Sequence, residues 1–256
     1  MTDTASQIKA ASLGKTHLFF LGQAGYVIKS PEGKLLGIDL YLSDCVERVE
    51  GHVGFKRLLP KLLSPDELTF DVLVATHPHC DHFDVDALPR LMNGGHTKLF
   101  ASKNCRALAE KNSMTDTDIE YVAPGDSTEA GGFRLDFVTC DHGDGAPDAF
   151  GVMVSVGGIR IFETGDTCLR LDRLDEYRAF GKIDALIAPI NGAFGNLDEI
   201  GCAKLSLALS PRYTIPCHFG MFAAHGGDPG RFIAAMKDIC PQNEFKLMAM
   251  GEKITF

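Results

Sequence analysis

The sequence contains no apolar run near the ~20 residues that a membrane-spanning helix needs. Its first dozen residues are small and polar, without the apolar stretch that marks a secretory signal. These two absences predict a soluble protein with no membrane partner. We expect residues 1–15 to form a flexible amino terminus.

Positive charge and paired cysteines are also scarce. The formal net charge is −9, which argues against a nucleic-acid partner because phosphates require a basic surface. A small anionic substrate stays open, since bound divalent ions would dominate the local field. The eight cysteines are dispersed and form no CxxC pair, a distribution that favours the reducing cytoplasm. We expect a cytoplasmic protein whose partner is a small molecule, with a homo-oligomer left open.

Low-complexity tracts and repeats are absent, and no P-loop or Rossmann phosphate-binding motif occurs. The 256 residues, 45% of them hydrophobic, can bury the core of a single domain over 16–256. In each half, short β-rich runs precede alternating helix and strand patterns. Two such halves predict two sheets packed face to face with helices outside, an αββα four-layer sandwich of the α/β (α+β) class. Helices are predicted at Phe55–Leu63 and Asp84–Met92, and a C-terminal strand at Phe245–Met248.

The densest chemical motif is Thr76–His82, which reads THPHCDH. It follows the apolar run Asp71–Ala75, which predicts a buried strand. Side chains on a loop that leaves a rigid strand can converge on one point. Imidazole and carboxylate together suit zinc, manganese or iron, and a cluster this dense can serve two ions. The motif therefore predicts a metal-dependent hydrolase.

Three further ligand-capable residues follow predicted strands, each with a glycine nearby. They are His142 after Phe133–Thr139, Asp166 after Gly158–Phe162, and His218 after Tyr213–Pro216. Each metal ion requires about four to six ligands, so the first cluster cannot complete a site alone. We expect these three residues to join it.

The HxHxDH motif, followed by a later histidine, a Gly-Asp pair and a final histidine, resembles the metallo-β-lactamase superfamily over roughly residues 17–256. Five stretches look most like its L-ascorbate-6-phosphate lactonase group: Phe20–Gly25, Ile38–Ser43, Ala75–His82, Thr164–Thr167 and Pro216–Phe222. The resemblance implies the metallo-β-lactamase-like αββα fold and a hydrolase with two divalent ions. Mn²⁺ or Zn²⁺ is expected, with Fe²⁺ as a further option.

The resemblance also implies a ligand set: His77, His79 and His142 for one ion, Asp81, His82 and His218 for the second, and Asp166 as the bridge. Asp141 or Asp144 could take the place of His142. Asp39, which closes an early strand, is expected to hydrogen-bond a ligand histidine and so fix its orientation.

This ligand set has a plain chemical rationale. Two divalent ions about 3.5–4 Å apart would lower the pKa of a bridging water and polarise the scissile carbonyl or phosphoryl oxygen. Asp166 suits the bridge because a carboxylate has two oxygens. Asp81 and His82 are the predicted catalytic residues. Asp81 would take the nucleophile's proton and deliver it to the leaving alkoxide.

Some nearby residues have more than one interpretation. His225 lies in a glycine-flanked stretch after His218 and either contacts substrate or belongs to a surface loop. Asn191, at another strand end, either contacts substrate or forms an ordinary turn. Cys80 lies between the predicted ligands His79 and Asp81. Because successive side chains alternate in direction, we expect it to point away from them and to pack. The remaining histidines are expected to be surface or structural residues: His17, His52 and His96.

The predicted reaction is hydrolysis of a carboxylic ester, a lactone of a sugar acid or its phosphate such as L-ascorbate 6-phosphate, by a metal-activated hydroxide. A metal-dependent phosphodiesterase is the alternative, because the same ions would stabilise an in-line phosphoryl displacement. A non-hydrolytic metal-binding or di-iron redox protein ranks lower. The redox relatives place a glutamate where His79 stands and append a flavin domain.

Overall fold

The computed structural model describes residues 3–51, 53–92, 95–114 and 119–256. The helices are α1 (Thr4–Ala10), α2 (Cys45–Glu50), α3 (Leu88–Leu91), α4 (Cys105–Lys111), α5 (Leu174–Arg178), α6 (Glu199–Leu209) and α7 (Pro229–Ile239), with 3-10 turns at Val53–Phe55 and Leu171–Arg173. Across these described ranges, every helix is too short or too polar to cross a bilayer.

Thirteen strands are assigned in the described residues. They are β1 (His17–Gly22), β2 (Gly25–Lys29), β3 (Leu35–Ile38), β4 (Val72–Ala75), β5 (Lys98–Ser102), β6 (Ile119–Val122), β7 (Ser127–Ala130), β8 (Phe133–Thr139), β9 (Phe150–Val156), β10 (Ile159–Glu163), β11 (Ala185–Pro189), β12 (Tyr213–Cys217) and β13 (Lys253–Thr255). Seven form one sheet in the order β13-β1-β2-β3-β4-β5-β6. Six form the other in the order β12-β11-β10-β9-β8-β7.

The packing of β1 shows how the layers arise. Leu18 and Phe20 join a core between the two sheets, together with Ile161 and Ile215 of the second sheet. The alternate residue Phe19 joins a different core, between the first sheet and α1–α4. Successive side chains of a strand point to opposite faces, so a strand that is buried throughout has a layer on each side.

A third core, between the second sheet and α5–α7, completes the sandwich; Phe162 and Leu186 contribute from the sheet, Cys202 and Phe232 from the helices. The predicted αββα four-layer architecture is confirmed.

Within residues 1–15, the segment that we expected to be flexible, Thr4–Ala10 forms helix α1. Asp3 caps helix α1, since its carboxylate accepts a hydrogen bond from the Ser6 backbone N–H, and Ile8 within the helix is fully buried. At its end, Lys29 Nζ donates to the carbonyls of Ile8, Lys9 and Ala11. Such a cation satisfies carbonyls that the helix end leaves without partners. This long-range contact is invisible in the local composition of the segment.

Three other local predictions are wrong. Phe55–Leu63 is not a helix beyond the 3-10 turn, because Pro60 interrupts it and Arg57 donates to the carbonyls of Tyr41 and Ser43 instead. Only Leu88–Leu91 of Asp84–Met92 is helical. The segment Phe245–Met248 forms a single bridge between Phe245 and Thr214 rather than a strand.

Candidate metal centre

The ligand-capable side chains lie where strands of similar direction end. In the first sheet, Asp39 follows β3 and the Thr76–His82 motif follows β4, which runs parallel to β3. In the second sheet, His142, Asp166 and His218 follow β8, β10 and β12, which share one direction. The carboxyl ends of such strands meet at one edge of a sheet, where polar side chains can converge.

The first group consists of His77, His79 and His142, whose ligand atoms all lie within 4.8 Å of one another. Nδ1 of His79 is 2.9 Å from Nε2 of His77 and 3.1 Å from Nε2 of His142. Both predicted alternatives to His142 lie elsewhere. The Asp141 carboxylate is paired with Arg170, and Asp144 is exposed.

The second group consists of Asp81, His82 and His218. Nε2 of His218 is 3.2 Å from Asp81 Oδ2 and 3.3 Å from His82 Nε2. All three side chains are buried, so their polar atoms face one another rather than bulk water.

Asp166 lies between the two groups. Its Oδ2 atom is 3.2 Å from His218 Nε2 in the second group and 3.7 Å from His142 Nε2 in the first. Its Oδ1 atom is 3.5 Å from His82 Nε2. The carboxylate therefore reaches both groups, which is the geometry that a bridging ligand needs.

Asp39 sets the orientation of two of these histidines. It accepts a 2.6 Å hydrogen bond from His82 Nδ1, and hydrogen bonds from the backbone N–H and the hydroxyl of Thr76. Because the Thr76 hydroxyl donates to Asp39, its oxygen accepts from His77 Nδ1 at 3.0 Å. The Nε2 lone pairs of His77 and His82 are consequently turned toward the shared space.

Burial and charge set the protonation of these groups. Burial, reinforced by neighbouring imidazoles, holds the pKa of His77 well below its ordinary value, and burial lowers the pKa of His142 to about 4. Burial also disfavours charge on His82, but the carboxylates of Asp166, Asp81 and Asp39 outweigh it and raise the pKa of that ring. The buried carboxylates thus attract positive charge into the space between them.

This donor set fits divalent cations. Ring nitrogens approach one another at 2.9–3.3 Å across the shared space, and ionised carboxylates surround them. A cation between these atoms would satisfy lone pairs that otherwise face each other. The donors are imidazole nitrogen and carboxylate oxygen, which suit zinc, manganese or iron.

Gln23, which the sequence patterns did not single out, is part of the second group. It follows β1 with φ at 56°, and its buried Nε2 atom lies 2.7 Å from Asp81 Oδ2, 3.0 Å from His218 Nε2 and 3.2 Å from His225 Nδ1. Its backbone carbonyl accepts from the His218 N–H. One signal could have found it: a polar residue between glycines directly after a buried strand, as at the other ligand positions.

The loop after β11 contributes Asn196, which the sequence patterns also missed. Its Nδ2 atom donates to Asp166 Oδ2 at 2.7 Å. Asn191, the residue predicted to contact substrate, is buried and donates to the carbonyl of Ala193 within the same loop. The structure therefore brings Asn196, rather than Asn191, to the metal-binding side chains.

A cavity of about 140 Å³ opens over these groups. His79, Asp81 and Asp166 line it, together with His225, which stacks on His218 at 4.7 Å between ring centroids. Cys80 also borders the cavity, and it packs, as expected, in the core between the first sheet and α1–α4. The cavity is of a size for a small molecule.

The remaining histidines lie outside this arrangement. His17 is buried and bonded to Ser12 and Thr255, a structural role. His96 is exposed. His52 lies outside the described residues.

Comparison with known proteins agrees with this fold and identifies the family. The model of the β-lactamase superfamily domain matches residues 17–218. Over 268 aligned positions the chain is 29% identical to a UPF0173 metal-dependent hydrolase from Anaeromyxobacter dehalogenans, covering 98% of this chain and 90% of that protein. It is 26% identical to a UPF0173 metal-dependent hydrolase from Carboxydothermus hydrogenoformans, covering 83% and 88%. The solved structure of Igni18, a metallo hydrolase from Ignicoccus hospitalis, has a TM-score of 0.75 at 20% identity, covering 94% and 98%.

Proposed function

Because this chain belongs to the β-lactamase superfamily, we propose that it is a metal-dependent hydrolase that cleaves a carboxylic ester, in particular a lactone. One observation carries the proposal: seven ligand-capable side chains from four loops meet beneath one cavity. The relatives from Anaeromyxobacter and Carboxydothermus, named metal-dependent hydrolases, support the reaction class.

His77, His79 and His142 would hold one ion, Asp81, His82 and His218 the second, and Asp166 would reach both. When bound, the ions would supply Lewis acidity, which lowers the pKa of a water and polarises the oxygen of the scissile group. The donor set suits Mn²⁺, Zn²⁺ or Fe²⁺.

The chain's own residues would position the reactants and move the proton. The Asp81 carboxylate lines the cavity and can take a proton from an attacking water, then return it to the leaving oxygen. Asp39 keeps the His82 ring in one tautomer, so that its Nε2 lone pair stays directed at the site. The buried setting limits competing water around these groups.

The ester assignment rests on the cavity. Among the described residues that line it, none is a lysine or an arginine, and the acidic Glu50 is one of them. A phosphodiester brings a negative charge that only the bound ions would offset, whereas an ester or lactone is neutral at the scissile group. We therefore place phosphodiester hydrolysis second.

The cysteines bear on the cellular compartment in which the enzyme works. All eight cysteines are free, and thiols persist in the reducing cytoplasm. We propose that the enzyme works there, on a small molecule.

Metal analysis and a substrate panel test the function. Protein purified without chelators is expected to contain Mn, Zn or Fe and to hydrolyse γ-butyrolactone-type esters. His79→Ala and Asp166→Ala are expected to abolish turnover and lower the metal content, whereas the exposed control His96→Ala keeps both. Full turnover by His79→Ala would contradict the proposal, and turnover confined to bis(4-nitrophenyl) phosphate would replace ester with phosphodiester hydrolysis.

A further inference from the structure

Aromatic side chains form one wall of the cavity above the metal-binding groups. Phe55 lies 6.0 Å from both Phe194 and Phe222, measured between ring centroids. His225 packs against all three rings at 5.1–5.7 Å. These residues line the cavity, and we refer to Phe55, Phe194 and Phe222 as the aromatic wall.

The backbone holds Phe194 at this wall against its intrinsic preference. Its φ is 56°, in the left-handed region that a bulky residue rarely adopts, and the residue is 59% exposed. An exposed phenylalanine in this conformation contributes little to the core. The loop is nonetheless anchored on both sides, by Gly192 N–H to Leu197 C=O and by Leu197 N–H to Thr167 C=O. Strain of this kind concentrates at functional positions.

The described lining of the cavity offers no lysine or arginine to a distal phosphate. Glu50, which belongs to that lining, adds a negative charge. Arg57, two residues after Phe55, donates to the carbonyls of Tyr41 and Ser43. Arg170, which pairs with Asp141 beside His142, also binds Asp172. A phosphate bound away from the metal groups would normally be held by such arginines or by lysines.

We propose that the substrate is an uncharged ester or lactone that carries an aromatic or other compact apolar substituent, seated against the aromatic wall, and not a sugar phosphate. This inference rests on the proposed ester hydrolase. The scissile group would lie at Asp81 and Asp166, so the substituent would point toward Phe55 and Phe194. A substituent phosphate would be placed among phenylalanine rings next to Glu50, where it would lose its hydration without gaining a counter-charge.

A pair of lactones that differ in one ring provides the kinetic test. The metal-loaded enzyme is expected to hydrolyse γ-phenyl-γ-butyrolactone with a kcat/KM roughly tenfold or more above that of γ-butyrolactone, since aromatic pairs add to apolar burial. L-ascorbate 6-phosphate is expected to be the poorest of the three. Phe194→Ala should remove the preference for the phenyl compound mainly through KM. Phe194→Leu should restore part of it, and the exposed control Leu13→Ala should leave it unchanged.

Binding without turnover gives a second readout. Saturation-transfer NMR with the neutral lactams 5-phenyl-2-pyrrolidinone and 2-pyrrolidinone compares the same substituents. The phenyl lactam is expected to bind roughly tenfold tighter to the native protein and equally weakly to Phe194→Ala and Phe55→Ala. Thermal melting identifies any variant that fails to fold. If an alanine variant fails, lactam binding to Phe194→Leu is compared with binding to the native protein instead.

The outcomes separate this inference from the proposed function. If L-ascorbate 6-phosphate is turned over best, and Phe194→Ala changes neither its kinetics nor lactam binding, the apolar substrate class is overturned while the lactonase stands. If no ester is hydrolysed but the phenyl lactam still binds through Phe194, the proposed reaction fails and the apolar ligand class stands.

Discussion

The Gln23 carboxamide donates a hydrogen bond of 2.7 Å from Nε2 to Oδ2 of Asp81, although 58 residues separate the two in the chain. Gln23 follows β1 at one end of the first sheet, and Asp81 belongs to the motif after β4. The bond fixes the carboxylate that we place at the second ion and at the proton transfer. The same amide nitrogen lies 3.0 Å from Nε2 of His218, which completes that group.

We expect Gln23→Leu to weaken the second metal site. Partners that hold a ligand in place typically contribute 10–100-fold in metal affinity, and Asp81 would lose its donor. Titration of chelator-treated protein with Mn²⁺ or Zn²⁺ should show one ion bound as before and the other about 10–100-fold more weakly. Gln242→Ala, at an exposed position, is the matched control. Two unchanged affinities in Gln23→Leu would show that the amide is not needed to position Asp81.

Asp39→Asn is expected to disturb both metal groups. Asp39 accepts from His82 Nδ1, from the Thr76 N–H and from the Thr76 hydroxyl. The new amide NH₂ would face one of these donors, so His82 or His77 would lose its fixed tautomer. We expect a loss of metal affinity of about 10–100-fold for Asp39→Asn, and a smaller loss for Thr76→Val, which affects only the link to His77.

Isothermal titration calorimetry with Zn²⁺ measures both variants, and Asp238→Asn on the exposed face of α7 is the control. An effect of Thr76→Val as large as that of Asp39→Asn would mean that His77, rather than His82, dominates the response.

Phe194→Gly should separate stability from substrate binding. Glycine adopts a φ of 56° without the penalty of ~1–2 kcal/mol that a side chain incurs there, but it also makes the unfolded chain more flexible. We expect the variant to be between ~0 and 1 kcal/mol more stable than the native protein in urea unfolding. The same variant should lose the preference for phenyl-substituted lactones. A loss of more than ~1 kcal/mol would show that the exposed ring stabilises the fold.

Lys29→Met should release helix α1. Lys29 Nζ donates to three carbonyls at the end of that helix and is 5% exposed. Because hydrogen bonds to a charged group contribute ~1.5–3 kcal/mol each and burial of the cation offsets part of this, we expect a net loss of ~2 kcal/mol. Urea unfolding measures the loss, and hydrogen exchange at Ile8 should accelerate. Lys237→Met, near the end of α7, is the comparison. Unchanged exchange at Ile8 would contradict this role of Lys29.

The strands and the first metal-binding cluster were accessible from the sequence because their signals are local. Burial on both faces requires continuous apolar runs such as His17–Gly22. The three histidines and the aspartate of Thr76–His82 are close neighbours in the chain, so the sequence alone shows that they cluster. β7 (Ser127–Ala130) was not predicted, because it is polar and half exposed at the edge of its sheet. Such a strand has no apolar run that would indicate it in the sequence.

The site residues and backbone conformations that were not predicted depend on contacts between distant segments of the chain. Gln23 and Asn196 reach Asp81 and Asp166 only after the two sheets pack and their loops meet at one edge. Four of the six non-glycine residues with positive φ in the described ranges are Gln23, Asp39, Phe194 and His218, all at or above the metal centre. Aspartate and histidine adopt positive φ more often than most residues, but no local pattern marks these four positions. The surrounding fold imposes it, because the strain at each loop is offset by contacts that other segments supply.

Residue types and their short-range spacing were enough to predict the ligand chemistry, the alternation of buried strands and the layer order. Only the packed chain shows that His142 rather than Asp141 lies beside His77 and His79, that Asn191 bonds within its own loop, and that phenylalanine rings line the cavity. These choices depend on where side chains point once three cores have packed, which no stretch of chain specifies in isolation.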